Sequence, residues 1–585
     1  MTTWKNNWRQ EIWEDIQQDW DILIIGGGIT GAGILREATR AGLKALLVEQ
    51  HDFSYGTSSG SSKLMHVGLR YLKEGRIGLT RASVLERERL RDAAPGLVDP
   101  IGFLFANPKG EGQTREWLML EAGLSVYDLL ALQWSHRYYE PQELRMLAPH
   151  VRTEDLAGAF HYGDAQTDDS RLVLRVLLEA VYAGGTAVNY VSAARVIREE
   201  EQVVGAVLRD NLTETEREVR AKLVINATGA WVDKLREQVG GEKKIRPLRG
   251  SHLVFPQWRF PVAQAISFGH PLDGRPVMIY PWDGVTLVGT TDLDHQESLD
   301  LEPHISGQEV AYLMAAVEAY FPSLGITLDD IISTYAGVRP VVDTGQEDPS
   351  KESRDHVVWQ ENGLLSVTGG KLTTFRLIAL DALGAAVPYL PKFEINFEAP
   401  AVDEIVVDLP RDLPEEIRRR LIGRYGRYAA ELVEAAHEGE LHEIPGTTAL
   451  WAELRWAARA EGVVHLEDLL LRRVRLGLLL PHGGAQWVDR IRAICQPELG
   501  WDDGKWAAEW ADYQAVWQRN YSLPAQETIP NWHNLLAEID VDAEVEDTIS
   551  DNRNVVASLL LGLAAVVFAI WYFGQREKRV VDSGQ

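Results

Sequence analysis

The sequence has a single cysteine, Cys495, among 585 residues. That excludes an internal disulfide and any cysteine-cluster zinc or iron–sulfur site. A lone thiol of this kind is expected to be a buried apolar filler. Positive charge is also scarce: 59 Lys and Arg stand against 86 Asp and Glu, a formal charge of −27. The balance argues against a nucleic-acid partner, which needs a basic face to displace counterions. It leaves an anionic small molecule open as substrate, because a few converging arginines make an anion pocket inside an acidic protein. Residues 1–20 lack an apolar signal-peptide core and a twin-arginine pair, so export of the main domain has no visible address. Internal repeats and low-complexity tracts are missing too. The length exceeds what one core holds, so two or three domains are expected.

What is present begins with residues 21–49, DILIIGGGITGAGILREATRAGLKALLVE. Residues 21–25 read as a buried parallel strand, and Gly26, Gly28 and Gly31 follow at G-x-G-x-x-G spacing before an Ala-rich periodic helix. Gly26 permits a tight turn, Gly28 lets the backbone approach a pyrophosphate, and Gly31 lets the helix lie against the strand. The N–H groups at that helix start attract phosphates. Glu49 ends the second apolar strand about 20 residues on, where an acid accepts a ribose hydroxyl and disfavours a 2′-phosphate. An ordinary glycine turn would not bring both strands, the helix and the acid together. The unit predicts nucleotide binding and leaves NAD and FAD both open.

The two ends carry apolar patterns of different kinds. Trp4, Trp8, Ile12, Ile16 and Trp20 recur every four residues and draw a stripe along an expected N-terminal helix over 1–20. Such a stripe either dips into a membrane interface or packs on the nucleotide domain, and its mixed acidic and basic flank favours packing. Residues 555–574, VVASLLLGLAAVVFAIWYFG, are uncharged and long enough to cross a bilayer, with Trp571 and Tyr572 at the interface. The expectation is one transmembrane helix. Arg576, Lys578 and Arg579 follow it, which by the positive-inside rule would place the tail in the cytoplasm. A large domain without a signal folds before a C-terminal segment emerges, so the expectation adopted is a cell-membrane protein with a cytoplasmic catalytic domain.

Between the ends, GGTAVNYVSAARVIREEEQVVGAVLRD alternates like a strand pair, and RAKLVINATGAWVDKL reads as strand, glycine turn and helix returning to the first sheet. SHLVF, PVMIY and TLVGTTD are short strands of the kind that build an antiparallel substrate sheet. LLSVTGGKLTTFRLIALDALGAAV is again strand, turn and helix, with the helix start open to an anion. After Pro388, Pro391, Pro400, Pro410 and Pro414 the pattern becomes amphipathic and charged. It predicts a helical domain over 400–530 and an acidic linker over 531–554.

Residues 53–72, FSYGTSSGSSKLMHVGLRYL, follow the second strand at once. Ser58, Ser59, Ser61 and Ser62 can hydrogen-bond a pyrophosphate or a flavin, and KLMHVGLRYL is too apolar for a flexible linker. The spacing of His66 and Arg70 predicts one helix face, one side chain for a hydroxyl and the other for an anion. With GGGITGAG, NATGAWVD, GSHLVF, VGTTD, YAGVRP and GGKLTTFR in matching order, the chain resembles the FAD-dependent glycerol-3-phosphate dehydrogenase family from about residue 21 to 386. WAELRWAARAEGVVHLEDLLLRRVRLGLL resembles that family's C-terminal domain, to about residue 520. The resemblance implies FAD and an α/β fold: a Rossmann-like FAD-binding domain of the glutathione reductase/D-amino-acid oxidase type, from segments of about 21–100, 150–240 and 335–395. An antiparallel β substrate domain would come from about 101–149 and 241–334. Two features depart from the family: Val67 stands where a second glycine is usual, and a transmembrane tail is not general.

The implied activity is oxidation of sn-glycerol 3-phosphate to dihydroxyacetone phosphate, with hydride passing to flavin N5 and electrons on to a membrane quinone. An oxidase using O2, a flavin-binding scaffold without turnover and an amino-acid oxidase of the same fold remain open beside it. Expected partners are glycerol 3-phosphate, a quinone and membrane lipid; a homodimer is left open, and no metal is expected. By resemblance, Arg70, Arg339 and Lys371 meet the phosphate, with Arg354 and Tyr71 beside them. A general base with a pKa near 7 points to His66, against the alternative that it only orients the flavin. Arg339 can stabilise a developing alkoxide. His252 is read as a strand residue or a substrate contact, and Thr290, Thr291 and Asp292 as pocket wall. Gly26, Gly28, Gly31 and Glu49 are expected to hold the ADP part. Thr57, Ser58, Ser62, Gly229, Gly370 and Thr373 are expected around the pyrophosphate and flavin.

Overall fold

Two sheets, each covered by helices, meet along the serine-rich loop. The computed structural model describes Trp4 and residues 8–66, 77–109, 120–126, 128, 136–346, 352 and 355–542. The first sheet runs in the order Val357–Glu361, Leu364–Thr368, Glu216–Asn226, Trp20–Ile25, Ala45–Val48, Thr186–Val188. All but the first of these pair in parallel. Parallel strands covered on both faces are apolar throughout, as in ILII of the first strand and ALLV of the second. The helix Ile29–Arg40 packs between Asp169–Tyr182 and Phe375–Ala386. An antiparallel meander, Val191–Glu199 and Gln202–Asp210, extends from Glu216–Asn226.

The second sheet centres on the long strand Ile245–Pro256, paired antiparallel with Val285–Gly289 on one edge and Ser333–Val342 on the other. Pro276–Trp282, Ala265–Gly269, Val98–Pro108, Leu156–Thr167 and Arg137–Tyr139 continue it. Leu156–Thr167 and Ser333–Val342 lie in this sheet, although their positions along the chain fall largely within the segments expected for the cofactor domain. Strand pairing is a long-range choice, and alternation alone does not name the partner.

Residues 415–520 form a helical region whose core includes Trp451, Leu454, Ile491, Cys495 and Trp506. Cys495 is buried with its Sγ against the Leu454 carbonyl, and burial pushes the thiol pKa up. Buried ion pairs join this region to the cofactor sheet. Asp52, three residues past Glu49, takes Arg472 Nε at 2.6 Å and Arg473 Nη1 and Nη2 at 2.5 and 2.8 Å. Burial would raise this carboxyl, but the two guanidiniums hold it down to about 2. Arg171 meets Glu461 through two bonds of 2.5 and 2.8 Å.

Two sequence expectations change here. Among the described residues the N-terminal helix covers Trp8–Asp15, Trp4 forms an isolated bridge to Glu461, and Trp20 opens the first strand. Trp4 is 2% exposed, stacks on Phe53 at 4.8 Å and donates Nε1–H to the Ala187 carbonyl at 3.1 Å. Trp8, Ile16 and Trp20 are buried as well and Ile12 is partly buried, so the stripe packs on the nucleotide sheet. The expected acidic linker opens as a helix, Trp532–Asp542, beside the helix Gly307–Tyr320. Among the described residues no helix is long and apolar enough to cross a membrane; the run 555–574 lies outside them.

Candidate active site

The first strand ends in Gly26, whose φ of +117° turns the chain sharply into the helix Ile29–Arg40. A Cβ on Gly31 would sit 1.9 Å from the Gly26 carbonyl oxygen, so only glycine lets this helix start so close to the strand. The helix cap, Gly28, offers no side chain to the first turn; Ser58 Oγ accepts the Ile29 N–H at 3.0 Å instead. Glu49 clasps the turn from the second strand: Oε2 accepts the Gly27 N–H at 2.7 Å and Oε1 the His51 N–H at 2.9 Å. Burial raises this carboxyl despite those two bonds.

A cavity of ≈530 Å3 opens from this turn toward the second sheet. Its nucleotide end is lined by Gly26, Gly28, Glu49, Thr57, Ser58 and Gly229. Ser62, His66, Arg339, Gly370, Lys371 and Thr373 line the remainder. Tertiary contacts hold the serine-rich loop rigidly. Thr57 Oγ1 donates to the Val338 carbonyl at 2.5 Å, and Ser61 Oγ to Asp169 Oδ2 at 2.7 Å. Beneath it, Lys63 is fully buried between Asp169 at 3.2 Å and the Trp282 and Tyr335 rings. Burial and the nearby Arg475 push its pKa down to about 8 against the pull of Asp169.

His66 is not helical. Leu64 bridges antiparallel to Gln166 and Met65 N–H bonds the Ala165 carbonyl, and continuing that register sets His66 opposite Asp164. His66 Nδ1 lies 2.6 Å from Asp164 Oδ2, and Arg87 Nη1 donates to Asp164 Oδ1 at 2.9 Å. Burial would raise the Asp164 carboxyl; the His66 and Arg87 bonds prevail and hold it below the usual range. An ionised carboxylate only accepts, so Nδ1 carries the proton. Phe103 stacks on the imidazole at 5.6 Å.

Arg339 projects from Ser333–Val342, with Nη1 donating to Asp292 at 2.8 Å and Nη2 to Thr290 at 3.3 Å. Gly250 on the adjoining strand makes room for it, since a Cβ there would lie 2.5 Å from Arg339 Nη2. Lys371 caps the short helical turn Leu372–Thr374 after two glycines of positive φ.

Five expected positions fall outside the cavity lining: Gly31, Ser59, His252, Thr291 and Asp292. Gly31 lies behind the turn. His252 is 1% exposed, behind Ser62, whose Oγ is 2.9 Å from His252 Nε2, and its ring stacks on Tyr335 at 4.5 Å. Thr291 turns away to Glu309 at 2.7 Å, while its neighbour Thr290 faces the cavity. Thr290 and Thr291 lie between the strands Val285–Gly289 and Leu293–Asp294, and the sequence did not say which of the two side chains would face the cavity. Arg70, Tyr71, Arg354 and Val67 lie outside the described residues. Sequence reasoning missed Asp164, Arg87, Tyr55 and Trp231; a buried Asp within the apolar strand LAGAFHYGDAQT was the only local signal.

A glycine turn opening a helix toward the cavity, an acid on the next strand and a cavity running to a histidine and two cations define a dinucleotide-dependent oxidoreductase. Comparisons with known proteins carry this further. The FAD dependent oxidoreductase family matches residues 21–376, and the C-terminal domain of alpha-glycerophosphate oxidase matches residues 383–505. An aerobic glycerol-3-phosphate dehydrogenase of Staphylococcus aureus (strain USA300) is 34% identical over 495 residues, 80% of this chain and 88% of that protein. The crystal structure of the glycerol-3-phosphate dehydrogenase from Bacillus halodurans complexed with FAD superposes with a TM-score of 0.70 at 27% identity, covering 89% of this chain and 98% of that one. L-alpha-glycerophosphate oxidase from Mycoplasma pneumoniae with FAD bound shares the fold at a TM-score of 0.54 and 19% identity, over 67% and 100% of the two chains. The chain belongs to the FAD-dependent glycerol-3-phosphate dehydrogenase family.

The cofactor is FAD, and the residues present fit it. The helix start is open toward the cavity at Gly28 and Thr30. The Trp231 Nε1–H beside the cavity is buried without a protein acceptor, as expected of a donor that meets a ligand.

Proposed function

We propose that the protein oxidises sn-glycerol 3-phosphate at C2 to dihydroxyacetone phosphate and delivers the electrons to a membrane quinone. The observation that carries this is the Asp164-held His66 standing in one cavity with Arg339 and Lys371. Bound FAD supplies the acceptor for the hydride equivalent from C2. With its proton held on Nδ1, His66 presents Nε2 as the base that takes the C2 hydroxyl proton. Arg87 keeps the Asp164 carboxylate charged and pointed at the ring. Arg339 and Lys371 hold the phosphate, and the Arg339 charge lowers the energy of negative charge developing on the hydroxyl oxygen. Arg70, Tyr71 and Arg354 complete the phosphate site on the family's pattern.

The quinone reading is supported by the uncharged run 555–574, which has the length of a bilayer span and would hold the enzyme at the acceptor's phase. The test is anaerobic. Glycerol 3-phosphate should bleach the oxidised flavin absorbance of the holoenzyme, and a short-chain quinone should restore it. No bleaching sinks the dehydrogenase reading. Hydrogen peroxide released at the turnover rate without quinone would make the enzyme an oxidase.

A further inference from the structure

A second pocket, of ≈30 Å3, lies directly behind the cofactor cavity. Tyr55, Gly56, Thr57, Gly60, Trp231 and Gly337 line both and form the partition between them. Two glycines meet in this wall. A Cβ on Gly60 would lie 2.8 Å from Gly337 Cα, and one on Gly337 would lie 2.3 Å from the Gly60 carbonyl oxygen. A side chain at either position would push the segments apart and thicken the partition.

The remaining walls come from other parts of the chain: Leu471, Leu478 and Tyr521 from the C-terminal helical region, and Leu299, Leu301 and Glu302 from one loop. The rim is apolar, with Leu301 60% exposed. The polar end is Glu302, whose oxygens take Asn520 Nδ2 at 2.8 Å and the Tyr521 hydroxyl. Burial raises this carboxyl, and the negative charge of Glu467 adds to the effect. The hydrogen bonds from Tyr521 and Asn520 and the charge of Arg472 pull the other way without cancelling it.

The substrate occupies the front cavity, and the electrons it leaves behind need a second exit. An apolar rim, two aromatic rings in the shared wall, the Glu302 carboxyl and the buried Arg475 guanidinium suit a flat apolar ring that carries carbonyl oxygens. We infer that this rear pocket receives a carbonyl of the quinone and that Glu302 is its proton donor. The enclosed volume admits the carbonyl end, and the ring rests on Leu299 and Leu301. The step balances: the reduced cofactor is oxidised and gives up two electrons and one proton, Glu302 gives the second proton, and both quinone C=O groups become C–OH. Solvent at the mouth reprotonates Glu302. The inference rests on the quinone reading above and adds the place where that acceptor binds.

Holoenzyme reduced anaerobically with glycerol 3-phosphate, then mixed with a decyl-substituted benzoquinone, tests it. In Leu301→Glu the half-saturating quinone concentration should rise about tenfold or more, a charge having replaced apolar rim. In Glu302→Gln the maximal reoxidation rate should fall about a hundredfold at similar half-saturation. Flavin bleaching by glycerol 3-phosphate should stay within about twofold of wild type in both, because neither side chain lines the front cavity. Calorimetry with a redox-inert hydroxyquinoline analogue and oxidised holoenzyme should show the same weakening in Leu301→Glu. Unchanged half-saturation and analogue binding overturn the site. Slower reoxidation by dioxygen alone makes the pocket an oxygen site and also overturns it. A wild-type enzyme that quinone does not reoxidise overturns the acceptor reading itself, and this inference with it.

Discussion

His66 Nδ1 and Asp164 Oδ2 lie 2.6 Å apart, and the far oxygen of the same carboxylate takes Arg87 at 2.9 Å. In Asp164→Asn the imidazole loses the acceptor that fixes its tautomer. The expected result is a fall in kcat of about a hundredfold with flavin content unchanged. Buried Arg87 keeps Glu88 at 2.7 Å, so the stability loss should stay near 1–3 kcal/mol. Wild-type kcat in a flavin-replete Asp164→Asn enzyme would remove the pair from catalysis.

Arg339→Ala and Lys371→Ala should each raise KM and lower kcat, since holding the phosphate also positions C2. A charge-assisted contact is worth about 1.5–3 kcal/mol, so kcat/KM should fall by tens to about a hundredfold. Glycerol, which has no phosphate to lose, should be turned over about equally by Lys371→Ala and wild type, and more slowly by Arg339→Ala, which also loses the charge beside the reacting oxygen. Steady-state kinetics with both substrates check this, and unchanged kcat/KM for glycerol 3-phosphate in both variants would place neither residue in the site.

Two glycines should fail in different ways. Gly31→Ala puts a methyl 1.9 Å from backbone oxygen that cannot step aside, so the protein should be recovered without flavin. Gly250→Ala puts one 2.5 Å from the mobile end of Arg339. There the fold and flavin content should survive, and kcat/KM should drop in the direction of Arg339→Ala. Absorbance at the flavin maximum and a thermal melt separate the two outcomes.

His252 predicts an acid limb of stability. Burial, with Lys63 and Arg339 adding, drives its pKa well below 6.5. In the unfolded chain the imidazole titrates near the ordinary value of about 6.5. Below that pH the unfolded state binds the extra proton, so stability is lost as pH falls, by up to about 1.4 kcal/mol per pH unit. Denaturant melts of wild type and His252→Gln between pH 7 and pH 5 should converge as pH drops. Parallel curves would show that His252 is not held neutral.

Much of the cofactor end could be read in advance because its contacts are local. Gly26, Gly28 and Gly31 act within one turn, and Glu49 reaches them from the neighbouring parallel strand. The catalytic end was less legible. His252 lies behind Ser62 and Thr291 turns to Glu309, while His66 continues the antiparallel register that Leu64 opens with Gln166 and Arg70 lies outside the described residues. Nor did the four-residue stripe at the N-terminus separate one helix from a helix flanked by a bridge and a strand, since burial against a common core repeats the same apolar pattern.

The chain's own order of residues was enough to specify a nucleotide turn, two kinds of sheet, a helical C-terminal region and a family, because periodicity and short motifs act over a few residues. Which side chains face one another came only with folding. Asp164 finds His66 across 98 positions, Arg339 finds its space beside Gly250, and Gly60 meets Gly337 in the wall between two pockets. Pairings of that kind depend on register and close packing between distant segments, and those are settled when the two sheets close on each other.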